Sequence, residues 1–176
     1  LFMNSYIISE IIEKQKKFFY SGATLPINFR KTMLKKLYAS IKSHQEQILN
    51  ALKTDLGKSN YEGFMCEIGI SLSEISYMIK HVSKFAKEKS VRTPIAQFAA
   101  HSYTKPTPYG NTLIMSPWNY PFLLSIEPLA NAIAAGNTCI LKPSAYSSAT
   151  ADILKIIIEE CFSTDYIAVI TGGREQ

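Results

Sequence analysis

The feature that most constrains the fold of this chain is the regular alternation of short apolar segments and helical patterns in its last third. Residues 111–115, 138–141 and 166–170 read as apolar strands, and residues 121–135 and 147–161 read as the helices between them. A β-α-β-α-β order with short connections places its strands side by side and parallel. We therefore expect half of a doubly wound, Rossmann-like α/β sheet, whose strands are apolar on both faces because helices cover them.

The turn after the first of these strands carries the residues best suited to chemistry. The strand breaks at Ser116-Pro117, and Trp118, Asn119 and Tyr120 follow before the helix begins. A turn at the carboxyl end of a parallel strand faces the site where open α/β sheets bind ligands. An indole, a carboxamide and a phenol at that place favour a role in binding or catalysis. The alternative at this point is a rigid connector in which Asn119 lies near the helix N-cap position.

Residues 1–95 read as a helical scaffold. Apolar positions recur at helical spacing from Ile8 until Gly22, with Gln15 as the one polar intruder. Asn28 is expected to cap a second helix. No constellation of catalytic residue types accompanies these helices, so a structural role is predicted for them.

Two capping-box signatures predict further helix starts in this scaffold. Ser43 is followed by Glu46, and Ser59 is followed by Glu62, at the three-residue spacing that the motif requires. The helix after Ser59 is expected to run unbroken along an apolar seam from Met65 to Phe85, up to the lysine-rich end before Pro94. The three histidines of the chain have no second ligand at metal spacing, so no metal site is predicted.

Composition and charge limit the kinds of partner. The 176 residues are 47% hydrophobic and 19% charged, which is typical of a globular protein with a sizeable core. The net charge of +5 is spread along helix faces rather than gathered in a stripe, which argues against nucleic-acid binding. No apolar run is long enough to predict a membrane span. Three cysteines without short spacing indicate a reducing compartment, and we expect the cytoplasm.

Three motifs, in this order and at these separations, strongly resemble the NAD(P)-dependent aldehyde dehydrogenases: SPWNYPF, PLANAIAAGNTCILKPS and VITGG. The segments ISYMIKHVSKFA and KPTPYGN are similar to the variety of that family that acts on medium-chain, fatty and aromatic aldehydes. The resemblance implies an oxidoreductase in which a cysteine thiolate attacks an aldehyde, NAD or NADP accepts hydride, and a glutamate activates water. No G-x-G-x-x-G follows the first strand, so the cofactor would be held differently from that in other dinucleotide-binding proteins.

The same resemblance implies roles for individual residues. Asn119 matches the asparagine of the oxyanion hole, whose neutral carboxamide N–H stabilises a developing oxyanion. Trp118 and Tyr120 match positions of the substrate pocket, with aromatic core packing as the alternative. Lys142 matches the lysine that reaches the adenosine ribose hydroxyls, and an exposed lysine at a strand end is its alternative. The implied cofactor-binding positions are Pro117, Lys142, Ser144, Ala145, Gly172 and Gly173.

Ala145 departs from the pattern of the family. Many relatives place a glutamate at this position, where its carboxylate accepts hydrogen bonds from the ribose and repels a 2'-phosphate. We therefore expect NADP to be accepted at least comparably to NAD. The alternative is that Tyr146 or a later residue replaces the missing carboxylate and preserves a preference for NAD.

The resemblance further implies that the active site is incomplete. The catalytic cysteine, the general-base glutamate and the glycine-containing cofactor turn are expected beyond Gln176, so we interpret the chain as an amino-terminal fragment that ends mid-domain. Its three cysteines lie on predicted helices or in a buried strand, where a reactive thiolate is not expected. Glu127 lies inside a helix and is not expected to be the base. The isolated fragment is therefore predicted to be inactive.

The expected organisation has three parts. Residues 1–95 pack as a scaffold on the cofactor domain, and residues 96–110 form an extended arm, strand-like over residues 97–104, in an oligomerisation sheet. Residues 111–176 form the first half of the NAD(P)-binding domain. We expect a homodimer for the full-length protein. The alternative to an enzyme fragment is a free-standing, non-catalytic module that binds a nucleotide or a partner.

Overall fold

The computed structural model describes residues 2–173, and the side chains from residue 7 onward. The first part consists of the α-helices α1 Phe2–Tyr20, α2 Ile27–Ser43, α3 Gln45–Leu56, α4 Asn60–Gly63 and α5 Gly69–Phe85. A π-helical segment, Phe64–Ile68, joins α4 to α5. A hairpin follows, with strands β1 Lys89–Val91 and β2 Ser102–Thr104. The last part alternates β3 Asn111–Met115, α6 Leu123–Ala135, β4 Thr138–Lys142, α7 Ser148–Cys161 and β5 Ile167–Val169.

Strands β3, β4 and β5 form a parallel sheet in that order, which confirms the predicted α/β architecture. Met115 at the end of β3 lies opposite Lys142 at the end of β4, and Cys139 of β4 lies opposite Ile167 of β5. The carboxyl ends of the three strands therefore lie at one edge of the sheet. In this part of the chain, β3 has the predicted bounds, and the other helix and strand boundaries differ from the predicted ones by at most two residues, as in α6, which begins at Leu123.

One apolar core joins the helical part to the α/β part. Helix α2 packs against α5, α6 and α7, and α5 packs against α6. The fully buried side chains at these contacts include Leu34, Leu37, Ile41, Ile75, Ile126, Leu129, Leu154 and Ile157. Burial of each such side chain stabilises the fold by about 1.5–3 kcal/mol, so the scaffold contributes directly to the stability of the sheet layer.

The prediction that every strand is apolar and buried on both faces is wrong for β3. Leu113 is 61% exposed and Met115 is 71% exposed, whereas residues 138–141 of β4 are buried. Strand β3 lies at one edge of the described sheet, and α6 lies against it. On the face that bears Leu113 and Met115, an open apolar groove remains between β3 and α1, which contributes Ile8 and Ile12.

Gln15 is the polar intruder in α1, and the structure explains it. Its side chain is fully buried, and its amide Nε2 donates hydrogen bonds to the carbonyl oxygens of Cys139, at 2.9 Å, and Thr164, at 3.2 Å. Its Oε1 accepts a hydrogen bond from Nδ2 of Asn111. A single carboxamide thus joins α1 to β3, to β4 and to the segment that precedes β5.

The three predicted helix caps have different outcomes. Asn28 lies inside the first turn of α2, whose N-cap is Pro26, so that prediction is wrong. The Ser43 prediction is also wrong, because the Ser43 hydroxyl donates a hydrogen bond to the preceding carbonyl of Ser40, and the N-cap residue of α3 is His44. The Ser59 prediction is confirmed, since its Oγ accepts a hydrogen bond from the backbone N–H of Glu62 at 3.1 Å.

The long fourth helix and the arm differ from their predictions. The π segment Phe64–Ile68 interrupts the predicted unbroken helix. Of the predicted strand-like stretch, only β2 is extended and paired, while residues 95–97 form a 3-10 turn. Strand β2 pairs in antiparallel fashion with β1, a partner that the sequence did not predict. Apart from Ser102, which is partly buried, the residues of both strands are exposed.

Candidate functional site

An open cleft of about 640 Å³ lies at the carboxyl ends of β3 and β4 and beside the segment that follows β5. Its lining consists of Met115, Ser116, Pro117, Lys142, Pro143, Ser144, Ala145, Tyr146, Gly172 and Gly173. The cleft thus brings together all six positions that were predicted from sequence to bind the cofactor. It lies at the edge of the sheet where open α/β proteins bind their ligands.

Lys142 crosses the cleft between two strand ends. Its ammonium Nζ donates to the carbonyl oxygen of Gly172 at 2.8 Å and to that of Pro143 at 3.3 Å. The side chain is partly buried, which rules out the alternative of a freely exposed strand-end lysine. Both acceptors are neutral, so these contacts leave the positive charge of Lys142 uncompensated at the cleft.

The rim of the cleft after β4 is formed by exposed residues. Ala145 is exposed, and Tyr146 is 87% exposed. The Oγ of Ser144 accepts a hydrogen bond from the backbone N–H of Tyr146 at 3.2 Å, which holds the turn closed. Among the residues whose side chains the structure describes, 7–173, no carboxylate lines this cleft.

The helix that leaves this rim, α7, is capped by the protein itself. Asp55 of α3 accepts hydrogen bonds from the backbone N–H groups of Ala149, at 3.1 Å, and Thr150, at 2.7 Å. Its carboxylate also accepts a hydrogen bond from the Thr150 hydroxyl at 2.7 Å. Asp55 therefore already occupies the positive end of the α7 dipole, so a ligand in the cleft has to be recognised by other groups.

The Trp-Asn-Tyr turn lies next to the cleft and is open to solvent. Trp118 is 55% exposed and Tyr120 is 40% exposed, and Asn119 between them is also exposed. The N-cap of α6 is Phe122, so the alternative that Asn119 caps this helix is wrong. Within residues 2–173, no hydrogen bond engages the Asn119 carboxamide, which leaves its N–H donors available.

Buried hydroxyl groups fix the turn on its sheet side. The Oγ atoms of Ser116, after β3, and Ser125, in the first turn of α6, lie 2.7 Å apart. The Ser125 hydroxyl also donates to the carbonyl of Pro121 at 2.6 Å. These bonds hold the two ends of the turn together.

Two charged residues beneath the turn were missed by the sequence reasoning. Lys58 and Glu67 form a buried ion pair, with Nζ and Oε1 separated by 2.5 Å. The available signal was a glutamate next to Ile68, inside the apolar seam of the predicted fourth helix. Sequence spacing did not indicate that its partner lies nine residues earlier, or that both face the turn.

Burial deactivates two of the three cysteine thiols. Burial raises the pKa of the Cys139 thiol, in β4, to about 12. Burial also raises the pKa of Cys161, at the end of α7. Cys66 lies partly buried on the π segment. A thiol with a raised pKa is protonated near neutral pH and is a poor nucleophile, in line with the expectation from the sequence.

Two other kinds of feature are absent from the described part of the chain. No group of three or more His, Cys, Asp or Glu side chains is placed to hold a metal ion within residues 2–173. In the same residues, none of the helices combines the length and the apolar character that crossing a bilayer requires.

A parallel sheet flanked by helices, with a cleft across its strand ends, defines an α/β protein of the doubly wound class. The family model described as "Aldehyde dehydrogenase family" matches residues 4–176. The chain belongs to the aldehyde dehydrogenase family.

Two curated relatives and one solved structure illustrate the similarity. The chain is 47% identical over 170 residues to "4,4'-diaponeurosporen-aldehyde dehydrogenase" of Staphylococcus aureus, covering 97% of this chain and 37% of the relative. It is 38% identical over 167 residues to "Aldehyde dehydrogenase, dimeric NADP-preferring" of Canis lupus familiaris, covering 94% of this chain and 37% of the relative. The structure titled "Substrate bound state of Staphylococcus Aureus AldH" superposes with a TM-score of 0.93 at 47% identity, covering 96% of this chain and 37% of that one. The chain therefore spans a little over a third of the length of these relatives.

Proposed function

We propose that this chain is the amino-terminal portion of an NAD(P)-dependent aldehyde dehydrogenase that oxidises an aldehyde to a carboxylic acid. The observation that carries the proposal is the juxtaposition of the cleft, with its six candidate cofactor residues, and the exposed Asn119 turn beside it. A cofactor in the cleft and an aldehyde at the turn would be neighbours, as hydride transfer between them requires.

The residues of the cleft fit a dinucleotide. Lys142 provides a cation whose present partners are neutral carbonyl groups, which suits a ligand rich in hydroxyl and phosphate groups. No atom of the described residues lies within 4 Å of where a Cβ of Gly173 would lie, so the backbone can approach a ligand there. Bound NAD or NADP would supply the hydride acceptor. In this proposal, Lys142 and Ser144 bind the ribose end of the cofactor.

Asn119 is the proposed catalytic residue of this chain. When a thiolate attacks the aldehyde carbon, negative charge develops on the former carbonyl oxygen, and the carboxamide N–H of Asn119 donates a hydrogen bond to it. The carboxamide does not ionise, so it stabilises the oxyanion at any working pH. We propose that the attacking thiol and the base that activates water belong to the longer protein, because Cys139 and Cys161 are buried with raised pKa values.

We propose a long apolar or aromatic aldehyde as the substrate. Trp118 and Tyr120 offer exposed aromatic surface on both sides of Asn119, which favours contact with an apolar chain. The S. aureus relative bears the name of a 4,4'-diaponeurosporen-aldehyde dehydrogenase, and this supports an apolar substrate here.

The remaining proposals concern the setting of the enzyme. The exposed hairpin β1–β2 supports a role of residues 96–110 in a homodimer of the full-length protein. The three free thiols support a reducing, cytoplasmic location. The apolar groove beside Leu113 and Met115 supports burial by further protein, and therefore disfavours the alternative of a free-standing, non-catalytic module.

The test is a steady-state assay of the full-length protein with aldehydes of increasing chain length and with both cofactors. We expect kcat/KM to rise with the apolar length of the aldehyde. Cofactor binding without any aldehyde-dependent reduction would instead favour the non-catalytic alternative. Equal kcat/KM for short and long aldehydes would contradict the proposed substrate class while leaving the reaction intact.

A further inference from the structure

We propose that the buried ion pair of Lys58 and Glu67 positions the turn that carries Asn119. The inference rests on the proposed role of Asn119 as oxyanion donor. Both residues belong to the helical scaffold rather than to the α/β unit, yet their side chains reach the turn. The Lys58 side chain is 8% exposed and the Glu67 side chain is 0% exposed, so solvent screens the pair little.

Glu67 fixes the residues that follow Asn119. One carboxylate oxygen, Oε1, pairs with Lys58, and the other, Oε2, accepts hydrogen bonds from the backbone N–H groups of Phe122, at 2.8 Å, and Leu123, at 3.1 Å. Phe122 is the N-cap residue of α6, where no local side chain caps the helix. A buried carboxylate at the positive end of this helix is a favourable, charge-assisted cap. Glu67 therefore determines where α6 begins.

Lys58 contacts Asn119 itself. Its ammonium donates to the main-chain carbonyl oxygen of Asn119 at 3.2 Å, and it lies 4.1 Å from the ring centroid of Tyr120 in a cation-π contact. These contacts fix the peptide group after Asn119 but leave its carboxamide unengaged. The position from which the Asn119 side chain projects is thereby set by the backbone, while its N–H donors stay available for an oxyanion.

The backbone around Glu67 is specialised for this contact. Glu67 lies in the π segment Phe64–Ile68, and single π-helical turns within helices are frequent at functional sites. Glu67 is fully buried, whereas Met65, two residues earlier, is 50% exposed and Ile70, three residues later, is 45% exposed. The segment therefore directs the Glu67 carboxylate inward, together with the apolar side chain of Ile68, from an otherwise partly exposed stretch.

Stability alone does not account for the pair. Two apolar side chains of similar volume generally hold helices together at least as well as a buried ion pair, because burial removes both charges from water. Apolar side chains could not accept hydrogen bonds from the two N–H groups at the start of α6, and they could not donate one to the Asn119 carbonyl. The directional hydrogen bonds are the property that an apolar replacement would lose.

The test uses the full-length enzyme with Glu67→Gln, which keeps the side-chain volume and removes the negative charge. We expect kcat to fall about tenfold or more, because small misplacements of a catalytic group have effects of that size, while the Kd of the cofactor stays within about twofold. Near-UV circular dichroism and the melting temperature establish that the variant is folded. Glu159→Gln removes one partner of the exposed Lys155–Glu159 pair on α7 and serves as the matched control, with kcat unchanged.

The decisive measurement repeats Glu67→Gln in an Asn119→Ala background. If Glu67 acts through Asn119, the second substitution changes kcat by less than about twofold there, because the interaction energy of a coupled pair is non-additive. A full, additive loss in that background would overturn the proposal, as would an unchanged kcat in the single variant. Should Glu67→Gln not fold, the double variant Lys58→Met/Glu67→Gln, which removes both charges together, takes its place. Failure of both to fold would make the pair a stability element and overturn the proposal.

The wild-type assay separates this inference from the proposed function. If the wild-type enzyme oxidises aldehydes but the effects of Glu67→Gln and Asn119→Ala on kcat are additive, the inference alone is contradicted. A wild-type enzyme without aldehyde oxidation contradicts the proposed function, and the inference falls with it.

Discussion

The ammonium Nζ of Lys142 donates a hydrogen bond to the carbonyl oxygen of Gly172 over 2.8 Å. Lys142 is the last residue of β4, and Gly172 follows β5, so this contact joins two neighbouring strand ends within the cleft. Two candidate cofactor residues that are thirty positions apart in the chain are therefore direct neighbours. A ligand in the cleft meets a lysine whose position is already fixed.

Lys142→Met is expected to weaken cofactor binding by about tenfold or more, because a charge-assisted hydrogen bond to the ligand is lost. The Kd of NAD and NADP for the full-length protein, from fluorescence titration, is the measurement. Lys155→Met, at an exposed position of α7, is the matched control and should leave both values unchanged. Unaltered cofactor affinity in Lys142→Met would assign the lysine to strand-end packing instead.

Ala145→Glu is expected to shift cofactor choice toward NAD. Ala145 is exposed at the rim of the cleft, where a new carboxylate would repel the 2'-phosphate of NADP and accept hydrogen bonds from the ribose of NAD. The ratio of kcat/KM for NAD to kcat/KM for NADP should rise by a factor that corresponds to about 1–3 kcal/mol of transition-state free energy. An equal response of both cofactors would show that Ala145 does not face the ribose, and a wild type that prefers NAD would point to Tyr146 as a substitute contact.

The 176-residue chain by itself is expected to oxidise no aldehyde. Burial raises the pKa of Cys139 to about 12 and also raises that of Cys161, so neither thiol supplies a thiolate near neutral pH. The measurement is aldehyde-dependent formation of NADH or NADPH by the purified chain, compared with a heat-denatured sample. Any rate above that control would contradict our assignment of the nucleophile to the rest of the protein.

The sheet and the location of the site could be predicted from the sequence because they follow from local patterns. Apolar strands that alternate with helices determine a parallel sheet, and the residues just after β3 and β4 must then meet at one edge. Pro117, after β3, and Lys142, at the end of β4, do line the same cleft. Contacts between residues that are far apart in the chain leave no such pattern in the sequence.

The contacts that fix the turn of residues 118–120 are of this long-range kind. Glu67 lies 55 residues before Phe122, whose backbone N–H donates a hydrogen bond to the Glu67 carboxylate. No periodicity in the sequence relates the two positions. The exposure of Leu113 on β3 was missed for a similar reason, since a strand pattern does not tell whether both faces find a covering element. The prediction that Ser43 caps a helix failed because its hydroxyl donates a hydrogen bond to a competing acceptor, the carbonyl of Ser40.

Gln15→Leu is expected to lower the free energy of unfolding by about 1–3 kcal/mol, because the buried carbonyl oxygens of Cys139 and Thr164 lose their donor. Denaturant unfolding of the full-length protein is the measurement. Glu13→Ala, at an exposed position of the same helix, is the control and should shift stability by less than about 0.5 kcal/mol. A stability gain in Gln15→Leu would show that the apolar pattern of α1 outweighs these hydrogen bonds.

The most direct test of our account is Asn119→Ala in the full-length enzyme, with kcat for an apolar aldehyde and the Kd of the cofactor measured on the same preparation. Loss of one oxyanion donor should lower kcat about a hundredfold or more, and the Kd of the cofactor should stay unchanged because Asn119 lies outside the lining of the cleft. Unchanged turnover with a raised cofactor Kd would contradict the account, because it would move Asn119 from catalysis to cofactor binding.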